Sequence, residues 1–196
     1  MKKRTRVCDE GAEQNESGEL DAILMAYMDD RVIIIDEEIT PKMIRTVVVP
    51  LLRLDEDEDE FPIDIYVNTI GGDAVTTLAI CDAIDKLKCP TTVHILGCAY
   101  SGGLWIASAG RDNKNVHKVA YANAEFMYHR LSSGYSGSMS EIETECEHAR
   151  GIQKRLDSYL ISHTDIGEKE LKRYKDKDWF FDAYVACGYG IVDEVL

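Results

Sequence analysis

Apolar positions along this chain follow two alternating spacings. Short extended runs rich in β-branched residues occur at 31–35, 61–67, 92–96, 116–121 and 125–128, and each predicts a strand. The run Val32-Ile33-Ile34-Ile35 has no polar break, which predicts burial on both faces. Between the strands the spacing becomes helical. A short apolar helix is expected over 20–27. Thr40-Pro41 supplies an N-cap and a first-turn proline for a helix to about Leu54, one that Pro50 must kink or shorten. The turn from Asn68 to Asp73 leads into a helix to about Lys88 capped by Asp73, and a further helix spans 104–109 up to Gly110. Strands alternating with helices predict a mainly parallel sheet covered by helices, the α/β class.

The longest helical pattern begins at Ser138-Met139-Ser140-Glu141, which has capping-box spacing. Met139, Ile142, Cys146, Ala149, Ile152, Leu156 and Tyr159 then form an apolar stripe. A single small domain already has its core in the sheet layers, so a stripe this late in the chain also suits contact with another subunit.

Length and composition narrow the picture. At 196 residues the chain fits one domain, expected over 19–196, after a polar arm over 1–18. The formal charge of −14 argues against nucleic acid and anionic membranes as partners. The basic start Met1-Lys2-Lys3-Arg4 is followed by polar sequence instead of a signal-peptide core, and no apolar run is long enough to span a bilayer. Six scattered cysteines lack zinc-site spacing and read as reduced thiols, which points to the cytoplasm, with no metal or cofactor expected. The six consecutive acids at 55–60 read as a solvated loop and are assigned no chemistry.

The candidate chemistry centres on Gly97-Cys98-Ala99-Tyr100-Ser101-Gly102-Gly103. Ser101 falls where extended chain gives way to a helix, beside backbone N–H groups that lack helical partners and suit a developing oxyanion. On its own the heptapeptide favours a plainer reading, a small-residue turn with Ser101 as an N-cap. A nucleophilic serine needs a base and a group to orient that base. His129 ends the 125–128 strand and precedes a Ser/Gly-rich loop, where functional crevices form in α/β sheets. Asp178, directly before Trp179-Phe180-Phe181, is a modest candidate for the orienting acid, with Asp176 and Asp182 as rivals. Gly71-Gly72 would offer a second backbone donor beside that of Gly102. A phosphate-binding turn is ranked low, since neither GxGxxG nor a P-loop lysine is present.

Taken in order, these motifs resemble the ClpP family, the proteolytic subunits of the Clp protease, over roughly 20–196. Tyr66-Val67-Asn68-Thr69-Ile70-Gly71-Gly72 is similar to the family's strand and Asn-Ser-Pro-Gly-Gly turn, and Gly97 to Ser101 to its nucleophile motif. Met127-Tyr128-His129 resembles its Met-Ile-His segment. Lys177-Asp178-Trp179-Phe180 and the closing segment 186–195 resemble its Arg-Asp-x-Phe and Ala-x-x-Tyr-Gly-Leu-Ile-Asp-x-Val.

The resemblance implies a ClpP/crotonase-like fold of repeated ββα units with a long protruding helix near 138–164. It implies Ser101 as nucleophile, His129 as general base and acid, Asp178 as its orienter, and an oxyanion hole from the N–H groups of Gly72 and Gly102. Peptide or unfolded-protein substrates, stacked seven-membered homo-oligomeric rings joined by the long helix, and an AAA+ unfoldase partner follow from the same resemblance. Ile70, Gly102 and Lys177 depart from the family, which has proline, methionine and a subunit-pairing arginine there. Three rivals remain: a ring subunit without activity, a signal-peptide-peptidase-like Ser/Lys enzyme, and a crotonase-like acyl-CoA enzyme.

Overall fold

A computed structural model describes residues 26–27, 29–56 and 61–196. The predicted arm over 1–18 and most of the 20–27 helix lie outside the described residues. Among the described residues seven strands form one sheet. β1 (Val32–Ile35), β2 (Ile63–Thr69), β3 (Thr91–Tyr100), β4 (Val116–Ala120) and β7 (Glu194–Val195) lie side by side in that order. All these pairings are parallel, as expected for strands joined through helices. β5 (Glu125–Tyr128) also runs parallel to β3, but along its far end, and β6 (Trp179–Asp182) adds to β5 in antiparallel sense. The helices are α1 (Val49–Glu56), α2 (Ala74–Asp85), α3 (Gly102–Ser108), α4 (Met139–His163), α5 (Glu168–Arg173) and α6 (Ala183–Gly188). The α/β class, the mainly parallel sheet and the long helix are as expected.

Several local expectations are corrected. β1 is an edge strand in which only Ile33 and Ile35 are buried, and Asp64, Tyr66, His94 and Leu96 on the same side as Val32 and Ile34 are half-exposed. Helices therefore leave one sheet face partly open. Thr40 caps no helix: Pro41 and Lys42 form a turn, and a π-helical segment, Ile44–Val48, leads into α1. The Val49 N–H bonds to Ile44 O, and this wide turn gives room to the ring of Pro50, so the helix continues to Glu56. Asp55 is structural, because its Oδ1 accepts from the Lys88 and Cys89 N–H groups at 2.7 and 2.9 Å. The rest of the acidic run, 57–60, lies outside the described residues.

The correction that matters for the site is the length of β3. It continues past Gly97 to Tyr100 because the register against β2 shifts between Val67 and Thr69, and the Asn68 side chain fills the gap by accepting the Cys98 N–H at 3.1 Å. β3 thus leaves β4 and pairs with β5 through Cys98↔Glu125, Ala99↔Phe126 and Tyr100↔Met127. Asp73 caps α2 by accepting from the Thr76 N–H, and Ser138 and Glu141 complete the predicted capping box on α4. Only the second half of α4 enters the core, through Ile152, Leu156 and Leu160, while Met139 is 72% exposed.

Candidate active site

The β3–β5 ladder brings the site together. Tyr100 pairs with Met127, and the next N–H, that of Ser101, bonds to Met127 O at 2.9 Å. Ser101 is thereby fixed two residues from His129 on the neighbouring strand, and Ser101 Oγ lies 2.7 Å from His129 Nε2. The N-cap reading of Ser101 fails, because its side chain makes no capping bond to α3. Its backbone instead stands at φ 48°, ψ −122°, a conformation L-residues rarely adopt and which costs about 1–3 kcal/mol. The turn aims the hydroxyl at the imidazole and away from the helix.

Gly71 and Gly72 press against this turn. A Cβ on Gly71 would lie 2.6 Å from the Ser101 Cβ, and Gly71 itself has φ +94°, so no other residue fits. Thr69 Oγ1 holds the segment by accepting the Gly71 N–H and donating to Glu37 O. Ile39 takes hydrogen bonds to both neighbours of Gly72: its N–H donates to Gly71 O and its carbonyl accepts from the Asp73 N–H. Gly72's own N–H therefore faces away from Ile39, and Gly72 and Gly102 both line the small cavity at Ser101. Among the described residues neither N–H donates a hydrogen bond.

That cavity, about 20 Å³, is also bounded by Thr77, Trp105, Leu131 and Leu156. It has room for about one water. A Cβ on Gly102 would meet Thr77 Oγ1 at 2.5 Å and Ile39 Cδ1 at 2.8 Å, which accounts for glycine after the serine: two neighbouring side chains already occupy the space.

Three of the other histidines are engaged elsewhere, and His148 is exposed on α4. His94 Nε2 lies 2.8 Å from Asp64 Oδ1 with its ring stacked on Tyr66, and His163 Nε2 lies 3.2 Å from Asp85 Oδ2. His117 faces Asp193 and Glu194. Among the described residues no lysine lines the Ser101 cavity. Of the three acids considered, Asp182 caps α6 by accepting from the Val185 N–H, and Asp176 pairs with Lys175 on the surface. Asp178 lies one residue beyond the Tyr128↔Trp179 pair, so the antiparallel register puts it opposite His129. Its side chain is exposed, and among the described residues it makes no hydrogen bond to His129. Lys177 stacks on the Tyr174 ring of its own chain, 5.1 Å from the centroid.

Gln153 was not anticipated. Buried on α4, it accepts the Leu131 N–H at 2.7 Å through Oε1 and donates from Nε2 to Asp157 Oδ1, which also receives the Tyr128 hydroxyl. Burial and the Asp157 carboxylate push the Tyr128 hydroxyl's pKa well above its usual value, so it stays a donor. The residues on either side of His129 are thus tied to α4. A glutamine between Ile152 and Leu156 on the apolar stripe was the available signal, since buried polar side chains carry hydrogen bonds.

A serine hydroxyl meeting an imidazole at a strand-to-helix junction of a mainly parallel sheet, with glycine N–H groups alongside, defines an α/β protein of the ClpP/crotonase fold. The model of the Clp protease family matches residues 14–196, and the chain belongs to that family. One relative, the ATP-dependent Clp protease proteolytic subunit of Deinococcus radiodurans, is 29% identical over 174 residues, spanning 89% of this chain and 84% of that protein.

Proposed function

We propose that this protein is a serine peptidase that cleaves peptide bonds through an acyl-enzyme. The observation that carries the reading is the 2.7 Å approach of Ser101 Oγ to His129 Nε2 on a strained turn. In the proposed reaction Oγ attacks the scissile carbonyl carbon while its proton passes to Nε2. The oxyanion is met by the N–H groups of Gly72 and Gly102. His129 then returns the proton to the departing amine as the C–N bond breaks, and water, deprotonated by the same imidazole, releases the acyl group. Asp178 is the proposed orienter of His129. Its place opposite His129 favours the role, and reaching the imidazole requires a movement of the exposed 175–178 segment.

Family membership favours a homo-oligomer of stacked seven-membered rings in the cytoplasm, working on peptides or unfolded protein and served by an AAA+ unfoldase. Among the described residues no helix is long and apolar enough to cross a membrane.

That no hydrogen bond joins Asp178 to His129 among the described residues favours one second reading, a ring subunit without activity. A fluorophosphonate probe decides between them. Covalent labelling of Ser101, absent in Ser101→Ala, is the expected result; wild-type protein that resists the probe in its assembled state would overturn the peptidase reading.

A further inference from the structure

The cavity at Ser101 has walls that no step of the proposed chemistry uses. Beyond Ser101, Gly72 and Gly102 it is closed by Thr77 of α2, Trp105 of α3, Leu131 of the segment after β5 and Leu156 of α4. Thr77, Trp105 and Leu156 are buried and Leu131 is half-buried. The enclosed volume of about 20 Å³ takes one group the size of a water or a methyl.

The walls are held from behind. Thr77 Oγ1 donates to Asp73 O at 2.8 Å, and the Leu131 N–H donates to Gln153 Oε1 at 2.7 Å. The Trp105 indole N–H donates to Leu156 O at 2.8 Å, a bond that staples α3 to α4 across the cavity. Nor does the glycine at position 102 widen the space, because Thr77 and Ile39 already stand where its side chain would lie. Close-packed walls of this kind resist added volume.

The tetrahedral carbon proposed to form on Ser101 carries four groups. Oγ is the first, the oxyanion at the Gly72 and Gly102 N–H groups is the second, and the departing amine facing His129 is the third. The fourth is the Cα of the residue whose carbonyl is attacked, the P1 residue, and the space beside Ser101 for its side chain is this cavity.

We infer that the protein cleaves after small residues, alanine above all, with Thr77, Trp105, Leu131 and Leu156 setting the limit. A methyl fits between them, whereas a leucine or phenylalanine side chain has to force apart walls that are hydrogen-bonded from behind. The inference rests on the peptidase reading above and names its substrate class.

The test uses the full chain and a set of fluorogenic peptide amides that differ only at P1, as alanine, leucine or phenylalanine. Wild type is expected to show a kcat/KM for the leucine and phenylalanine peptides at least about tenfold below that for alanine, since a single methylene in a closed pocket already discriminates by about this much. Leu131→Ala and Leu156→Ala should each narrow that ratio by raising kcat/KM for the larger residues. Leu131 is only half-buried and keeps its backbone bond to Gln153, so it carries the test if Leu156→Ala fails to fold. A wild-type ratio below tenfold overturns the inference and leaves the peptidase reading standing. A ratio unchanged in the folded wall variants overturns it too. Cleavage of none of the peptides also overturns it, and fluorophosphonate labelling of Ser101 then shows whether the peptidase reading falls with it.

Discussion

The two sides of the candidate site are built differently. Ser101 and His129 sit at the ends of paired strands, with their backbones tied by the β3–β5 ladder, by Thr69 beneath the glycine turn and by Gln153 behind the histidine. Asp178 lies at the open end of the short β5–β6 pairing, exposed, in a segment that includes the exposed residues 175–177. Ser101 and His129 therefore keep their geometry within a single folded chain, whereas the approach of Asp178 to them depends on what covers the surface around it. Long-range hydrogen bonds in a buried setting fix side chains; a surface segment at a strand end does not.

Substitutions test that contrast, and the largest effect is expected on the side tied by the ladder. His129→Ala should lower the peptidase turnover number by about 10⁴-fold or more, with the residue of activity coming from the oxyanion donors. Steady-state cleavage of a fluorogenic peptide measures it, and near-normal turnover would remove His129 as the base. Asp178→Asn should lower turnover by about 10²–10⁴-fold with unchanged folding, if assembly brings the acid onto His129. An unaffected rate would restrict the working site to the Ser101–His129 pair.

Gln153→Ala leaves the Leu131 N–H without its partner and Asp157 with the Tyr128 hydroxyl alone, and should cost about 1–3 kcal/mol in urea unfolding. A reduced turnover in the folded protein would show that the tie reaches His129; stability loss alone would confine Gln153 to the scaffold.

The effect of Lys118→Met is smaller and of opposite sign. The Lys118 ammonium is buried on β4, has no hydrogen-bond partner among the described residues and lies 4.0 Å from Asp193. Burial lowers its pKa, so the unfolded chain holds this proton to higher pH than the folded one, and stability should rise with pH up to the ordinary lysine range. Lys118→Met should stabilise the protein by about 1 kcal/mol and flatten that rise, as read by thermal unfolding across alkaline pH.

The least effect is expected at the exposed start of α4. Hydrogen bonds from the Ser138 N–H and hydroxyl hold the Glu141 carboxyl below the usual range. The cap is complete above the ordinary carboxylate range and is lost as pH falls through the lowered value. Circular dichroism should show slight fraying on acidification, and Ser138→Ala should fray the same turn at neutral pH.

Much of the fold was legible because its signals are local. Asp73 caps its helix through a residue three positions away, and Ser138 and Glu141 bond each other across one turn. Element boundaries were less legible. The passage of β3 through Gly97 depends on Asn68, which accepts from Cys98 thirty positions later, and the course of the helix around Pro50 depends on a change of hydrogen-bond register. The half-exposed face of β1 and β2 could not be told from a buried one, since an apolar run reads the same in either place.

Residue types and motif order thus established the family, the α/β class and the candidate serine, histidine and acid. Tertiary structure decided which of them meet: Ser101 and His129 are 28 positions apart and join only through strand register. It also decided why position 102 is glycine, because Thr77 and Ile39 converge there from separate elements. Periodicity and capping act within a few residues, whereas a site is made by distant segments, and the hydrogen bonds and packing that join them exist only in the folded chain.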